Sequence, residues 1–171
     1  MKNRIVAIFS WVVVLWTSKV FLFSLPYKFS GHPDTQHIFG TIGAWMQDTI
    51  SPSLGQWFIS NGAIAVGSFE LLASLLLLSP IVFWALKKFN VVNKVPSRAL
   101  IHTLGGLLSA GVMAGAIFFH LVTPLGIEVL HNGVSDGGSL FYAAVSIFVL
   151  GIISAFVNSK ILCEQCKNIS Q

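Results

Sequence analysis

The chain has 171 residues, ten Lys and Arg against six Asp and Glu, 54% apolar side chains and only 9% charged ones, with a mean hydropathy of +0.80. A soluble domain carries about 25% charged residues, so this chain lacks the polar cover of a water-soluble globule. Intrinsic disorder, a nucleic-acid-binding domain and a secreted disulfide scaffold fit no better. The apolar residues fall in long blocks, which makes the bilayer the expected solvent and the basic balance a matter of membrane orientation.

A spanning helix needs about 20 mostly apolar residues. Four blocks approach that length, at about residues 5–24, 62–86, 99–122 and 139–157. They are continuous rather than alternating, which argues against barrel strands, and a helix satisfies its own backbone in lipid. The expected fold is therefore all-α: one polytopic membrane domain over residues 1–171, a four-transmembrane-helix bundle with a cytoplasmic tail at 158–171. Lys2 and Arg4 give the first block the basic start of a signal peptide. Its apolar run exceeds the usual ~7–15 residues and no small-x-small cleavage site follows, so it reads as a span.

Orientation follows from Lys and Arg. Lys2 and Arg4 precede the first span, Lys87, Lys88, Lys94 and Arg98 lie between the second and third, and Lys160 and Lys167 follow the fourth. The other two connections hold only Lys28. Both termini are expected in the cytoplasm, with the chain in the inner or plasma membrane.

In the first outer connection Ile38, Phe39, Ile42, Trp45 and Met46 recur at helical spacing. Pro33 suits a first helical turn and Asp34 its positive end. An amphipathic helix is expected over about 33–48, either lying on the membrane, capping the bundle or filling a gap between spans. Ser51-Pro52 ends it, and Pro80 is expected to kink or end the second span. Gly111 and Gly115, near Gly105, Gly106 and Ser109, and Gly151 with Ala155, supply small-residue faces for close packing. They are compatible with a homo-oligomer without specifying one.

Three ionisable side chains stand out within the spans: Lys19, Glu70 and His120. Each costs about 2.5–3.5 kcal/mol in hydrocarbon unless it finds a partner or water. Counting along the blocks puts all three in the outer half, where Glu70 with Lys19 and His120 would line a polar pocket. Lys19 alone is long enough to snorkel and His120 alone suits the interface. Glu70 is too short and too deep for that, and Glu70→Gln is expected to be the most damaging single polar change.

No other catalytic constellation is visible. His102 and His120 share a helix face but lie about 27 Å apart, so one haem cannot use both. A metal site at His32, His37 and His131 would need them to converge, which nothing in their spacing demands. Cys163 and Cys166 form a C-x-x-C after the last span, a candidate pair of redox thiols but only half of a zinc site.

Three stretches carry a family resemblance. They are Lys28-Phe29-Ser30-Gly31-His32-Pro33-Asp34, Gly67-Ser68-Phe69-Glu70-Leu71-Leu72-Ala73, and Met113 to Leu121 continuing through Thr123-Pro124-Leu125-Gly126. In this order the chain resembles the DoxX-like integral membrane proteins, over about residues 5–157. The resemblance implies a four-helix membrane fold and redox chemistry, as a membrane subunit of a quinone-linked oxidoreductase. Glu70 and His120 match the family's recurring polar positions, here the expected catalytic pair, and Lys28 and Gly31 match its loop. Lys28 joins Lys19, Glu70 and His120 as an expected substrate-binding residue. The Cys163 and Cys166 tail has no counterpart in the pattern.

The leading functional reading is a redox-associated protein that binds a quinone or a similar apolar ring, with Glu70 and His120 exchanging protons with its oxygens and a partner protein supplying electrons. A non-catalytic assembly or chaperone-like subunit is the main alternative. A small-molecule transporter is weaker, because inverted halves and broken paired helices are missing.

Overall fold

A computed structural model describes the backbone over residues 2–169 and the side chains over residues 4–164 and of Lys167. Five helices run in order: α1 Lys2–Phe29, α2 Pro33–Thr49, α3 Pro52–Lys88, α4 Arg98–Val122 and α5 Ser139–Ile169. A two-stranded hairpin, β1 Leu130–His131 and β2 Val134–Ser135, lies between α4 and α5. Helices α1, α3, α4 and α5 are long and apolar enough to cross a membrane, as a multi-pass bundle. They follow one another around it, with α1 closing against α5. One end holds the termini and the α3–α4 connection (the terminal end). The other holds α2 and the hairpin (the capped end).

Phe21, Ala73, Met113, Ala144 and Ile147 form the central core. Leu15, Phe23, Leu75 and Phe156 face outward. An outward-facing aliphatic and aromatic surface is stable in acyl chains, where helix packing rather than water exclusion holds the bundle.

Helix α1 runs past its expected end to Phe29 with Pro26 inside it. Proline's fixed φ fits a helix, and here it forfeits a single bond close to the helix end. Gly31 at φ +66 ends the helix, and the His32 N–H reaches back to the Tyr27 carbonyl at 3.1 Å, a Schellman termination. His32 then caps α2, its Nδ1 accepting from the Asp34 N–H at 3.3 Å. Thr35, Phe39, Ile42, Gly43 and Met46 form the buried face of α2. Ile42 and Met46 pack with Leu125, Val129 and Phe58, so α2 caps the bundle. It folds back on α3 so closely that a Cβ on Gly43 would lie 2.8 Å from the Gly55 carbonyl oxygen.

Helix α3 begins ten residues before the expected second span. Its 37 residues reach about 55 Å, well beyond the ~30 Å of a hydrocarbon core, and the excess at its start is what α2 packs on. Pro80 does not end it. The Leu76 carbonyl that Pro80 cannot serve accepts from the Ser79 hydroxyl at 2.7 Å.

Helices α4 and α5 meet at Gly106 and Gly151, where a Cβ on either would lie within 2.8 Å of the other's carbonyl oxygen. The Gly111 and Gly115 pair does not serve this contact, because both face open space. Helix α5 continues through the expected tail to Ile169, burying Asn158 and Ile161. The hairpin turns at Asn132 (φ 51) and Gly133 (φ 79), the pattern of a type I′ turn.

Candidate functional site

Beneath α2, the four long helices line a partly open cavity of about 660 Å3. Val20, Ile42, Phe58, Met113, Phe119 and Ala144 supply apolar wall. Gly111 and Gly115 line it too, and their missing side chains leave volume there. Polar groups enter at Ser24, Lys28, Glu70 and His120, with Asp34, Thr35, Asp136 and Ser139 from the capping segments. A mostly apolar space with a few convergent polar groups is the usual form of a small-molecule site.

Glu70 is 3% exposed. Its Oε2 takes a 2.6 Å contact from the Lys28 ammonium and a 2.7 Å hydrogen bond from the Ser24 hydroxyl. Ser24 in turn accepts from Lys28 at 2.9 Å. Ser24 and Lys28 lie one turn apart on α1, which puts both on the face toward α3. This requires the helix to continue through Pro26. Gly67, nearly one turn before Glu70, lets α1 come close: a Cβ there would lie 2.8 Å from the Phe29 ring. Among the described residues no donor reaches Glu70 Oε1, although Glu70 lines the cavity.

His120 is buried in the last turn of α4. Its Nδ1 lies 2.7 Å from the Gly126 carbonyl oxygen. A carbonyl only accepts, so Nδ1 carries the hydrogen and, in the neutral ring, Nε2 is the acceptor nitrogen. Phe141 holds the ring edge-on at 5.7 Å. The cavity therefore has an acid–base pair of groups, a carboxylate already in contact with an ammonium and an imidazole with fixed tautomer.

Lys19 does not join them. It is exposed beside Trp16, 6.0 Å from the ring centroid. The nine residues separating it from Lys28 are about 2.5 turns and 14 Å, which puts it on the opposite face and deeper along the helix. The cation beside Glu70 is Lys28, not Lys19.

His32, His37 and His131 come together, although nothing in their spacing demands it. Asp34 contacts His131 Nδ1 at 2.6 Å and His32 Nδ1 at 3.4 Å, and the His37 ring stacks on His131 at 4.7 Å. This cluster ties the hairpin to the start of α2. Among the described residues no group of His, Cys, Asp or Glu is arranged to hold a metal ion. Asp136 closes the other side of the hairpin. Partial burial works against its charge, but hydrogen bonds from the Leu140, Gly138 and Val129 backbone and the Ser139 hydroxyl prevail and hold its carboxyl below the usual range. Cys163 is an exposed free thiol, and the Cys166 side chain lies outside the described residues.

A polar seam at the terminal end was not foreseen from sequence. Asn158 donates to Ser10 and to the Ser154 carbonyl, each at 2.8 Å. Its signal was available: Ser154 and Asn158 are one turn apart, and Ser10 is the small polar residue at the matching level of α1. Neither protein-family models, nor characterised proteins, nor solved structures yield a match to this chain.

Proposed function

We propose that this chain is a DoxX-like, redox-associated membrane protein that binds a quinone or similar apolar ring in the cavity beneath α2. One observation carries the reading: a buried carboxylate paired with Lys28 and an imidazole of fixed tautomer border the same ring-sized apolar space. Reduction of a quinone to a quinol takes two electrons and two protons. Glu70 and His120 are the groups available for proton exchange at the quinone oxygens, Lys28 donates to an oxygen as charge develops, and a partner redox protein supplies the electrons. The capped end faces away from the cytoplasm and both termini face it. Supporting this, Lys2, Arg4, Lys87, Lys88, Lys94, Arg98, Lys160 and Lys167 collect at the terminal end against Glu164 alone.

A non-catalytic assembly or chaperone-like subunit remains the alternative reading; Gly106 and Gly151 pack α4 against α5, and Gly111 and Gly115 face the cavity.

Native purification followed by mass spectrometry, with titration of a short-chain quinone into the delipidated protein, tests the reading. Retained or saturable quinone, lost in Gly115→Leu, is expected. A folded protein that neither retains nor binds quinone refutes it.

A further inference from the structure

The terminal end carries a second recess, of about 380 Å3, far from the cavity just described. Trp11 of α1, Pro80, Ile81 and Trp84 of α3, and Arg98 at the start of α4 line it. Trp84 and Ile81 are exposed on the outer face of the bundle, so the recess opens sideways toward lipid.

Arg98 has an unusual set of neighbours. Its Nη1 lies 3.4 Å from His102 Nδ1 and 3.4 Å from Asn158 Oδ1. Both are neutral partners at the long limit of hydrogen bonding. Among the described residues no ion pair reaches Arg98, so no carboxylate neutralises it. A guanidinium has five N–H donors in a planar fork, and both contacts fall on Nη1, leaving the others without a protein acceptor. His102, wholly buried and edge-on to Trp11 at 5.1 Å, backs the guanidinium from inside. Lys88, its ammonium 5.2 Å from the Trp84 ring centroid, adds positive charge at the rim.

A cation with free donors, between two indoles at a helix end, matches the chemistry of a phosphate carried on an apolar body. Arginine forks suit phosphate oxygens, and indoles favour the glycerol level of a bilayer. We propose that this recess binds the phosphate of an anionic phospholipid, with Arg98 as its donor and Trp11 and Trp84 as its walls. The acyl chains run along the exposed flank of Ile81 and Trp84. This site is independent of the quinone reading.

The test uses full-length protein, delipidated in neutral detergent and titrated separately with phosphatidylglycerol, phosphatidylcholine and inorganic phosphate. Native mass spectrometry and thermal unfolding report binding. Phosphatidylglycerol is expected to bind and to raise the unfolding temperature, and inorganic phosphate to do neither. Arg98→Gln should weaken phosphatidylglycerol binding about fivefold, the worth of one interfacial cation, and weaken phosphatidylcholine, whose choline already offsets its phosphate, by less. Trp84→Ala, which spares the Arg98–His102–Asn158 contacts, should also weaken it, and Lys94→Gln should not. Wild-type affinity in Arg98→Gln overturns the proposal. So does an equal shift from inorganic phosphate, which means a free-anion site, or an equal loss in Lys94→Gln, which means diffuse attraction. If Arg98→Gln fails to fold, undiminished phosphatidylglycerol binding by Trp84→Ala overturns it alone.

Discussion

The Lys28–Glu70 pair invites a double-mutant cycle. Unit charges 2.6 Å apart attract by ~6 kcal/mol at an effective dielectric constant of about 20. Desolvation costs several kcal/mol per ion, so the intact pair contributes little net stability, whereas stranding one member costs about 3–5 kcal/mol. The two deletions are unequal. The Lys28 side chain is 16% exposed and that of Glu70 only 4%, and a lysine stem can swing its ammonium toward the capped end. Glu70→Gln should therefore cost about 2–3 kcal/mol and Lys28→Met about 3–5 kcal/mol, placing the lysine above the glutamate in sensitivity. The double variant strands no charge and should fall short of the sum by about 2–3 kcal/mol. Reversible unfolding of the three variants in mixed micelles measures the coupling. Additivity within about 0.5 kcal/mol would refute a functioning buried pair.

Cavity glycines and packing glycines should separate cleanly. Gly115→Leu should abolish quinone binding with the melting temperature kept, while Gly106→Leu should prevent a native bundle, as judged by size-exclusion profile and thermal unfolding. In the hairpin, Asn132→Ala loses a residue tolerant of positive φ and should cost about 1 kcal/mol, read as faster amide exchange around Val129 and Asp136. Because the Asp136 carboxyl is held below its ordinary 3.8, it stabilises the fold above that value, and the contribution disappears as pH falls through the lowered one. A stability–pH profile should show this acid limb, and Asp136→Asn should flatten it while costing about 1 kcal/mol near neutral pH, because an amide nitrogen replaces one of the two oxygens that accept from the Val129, Gly138 and Leu140 N–H groups. Ser79→Ala should leave the Leu76 carbonyl unserved and cost about 1 kcal/mol, visible in the same unfolding assay.

The spans and the capping helix were legible because apolar block length and 3.6-residue periodicity are local signals. Residues 33–48 were expected as a helix, and α2 is Pro33–Thr49. Helix ends were less legible. Ser51-Pro52 marks the end of α2 as expected, but α1 continues five residues past its expected end near residue 24, through Pro26 to Phe29, and α3 already begins at Pro52. Misplacing the end of α1 made Lys28 look like a loop residue and left Lys19 as the only cation available to Glu70 from depth alone. Pairings across the chain were not legible at all. Nothing local says that Asp34 meets His131, or that Gly106 rather than Gly111 meets the facing helix. The hairpin did have a local sign, Asn132-Gly133, between Leu130-His131 and Val134-Ser135.

Helix α3 joins two jobs in one rod. Gly55, near its start, is seated against α2, and Glu70, about four turns on, faces Lys28. Between them the helix has no break. The seat of α2 at Gly43 and the carboxylate at Glu70 are therefore carried by one continuous helix. The register of α2 on the bundle and the placement of the buried charge are thereby fixed together, with no loop between them.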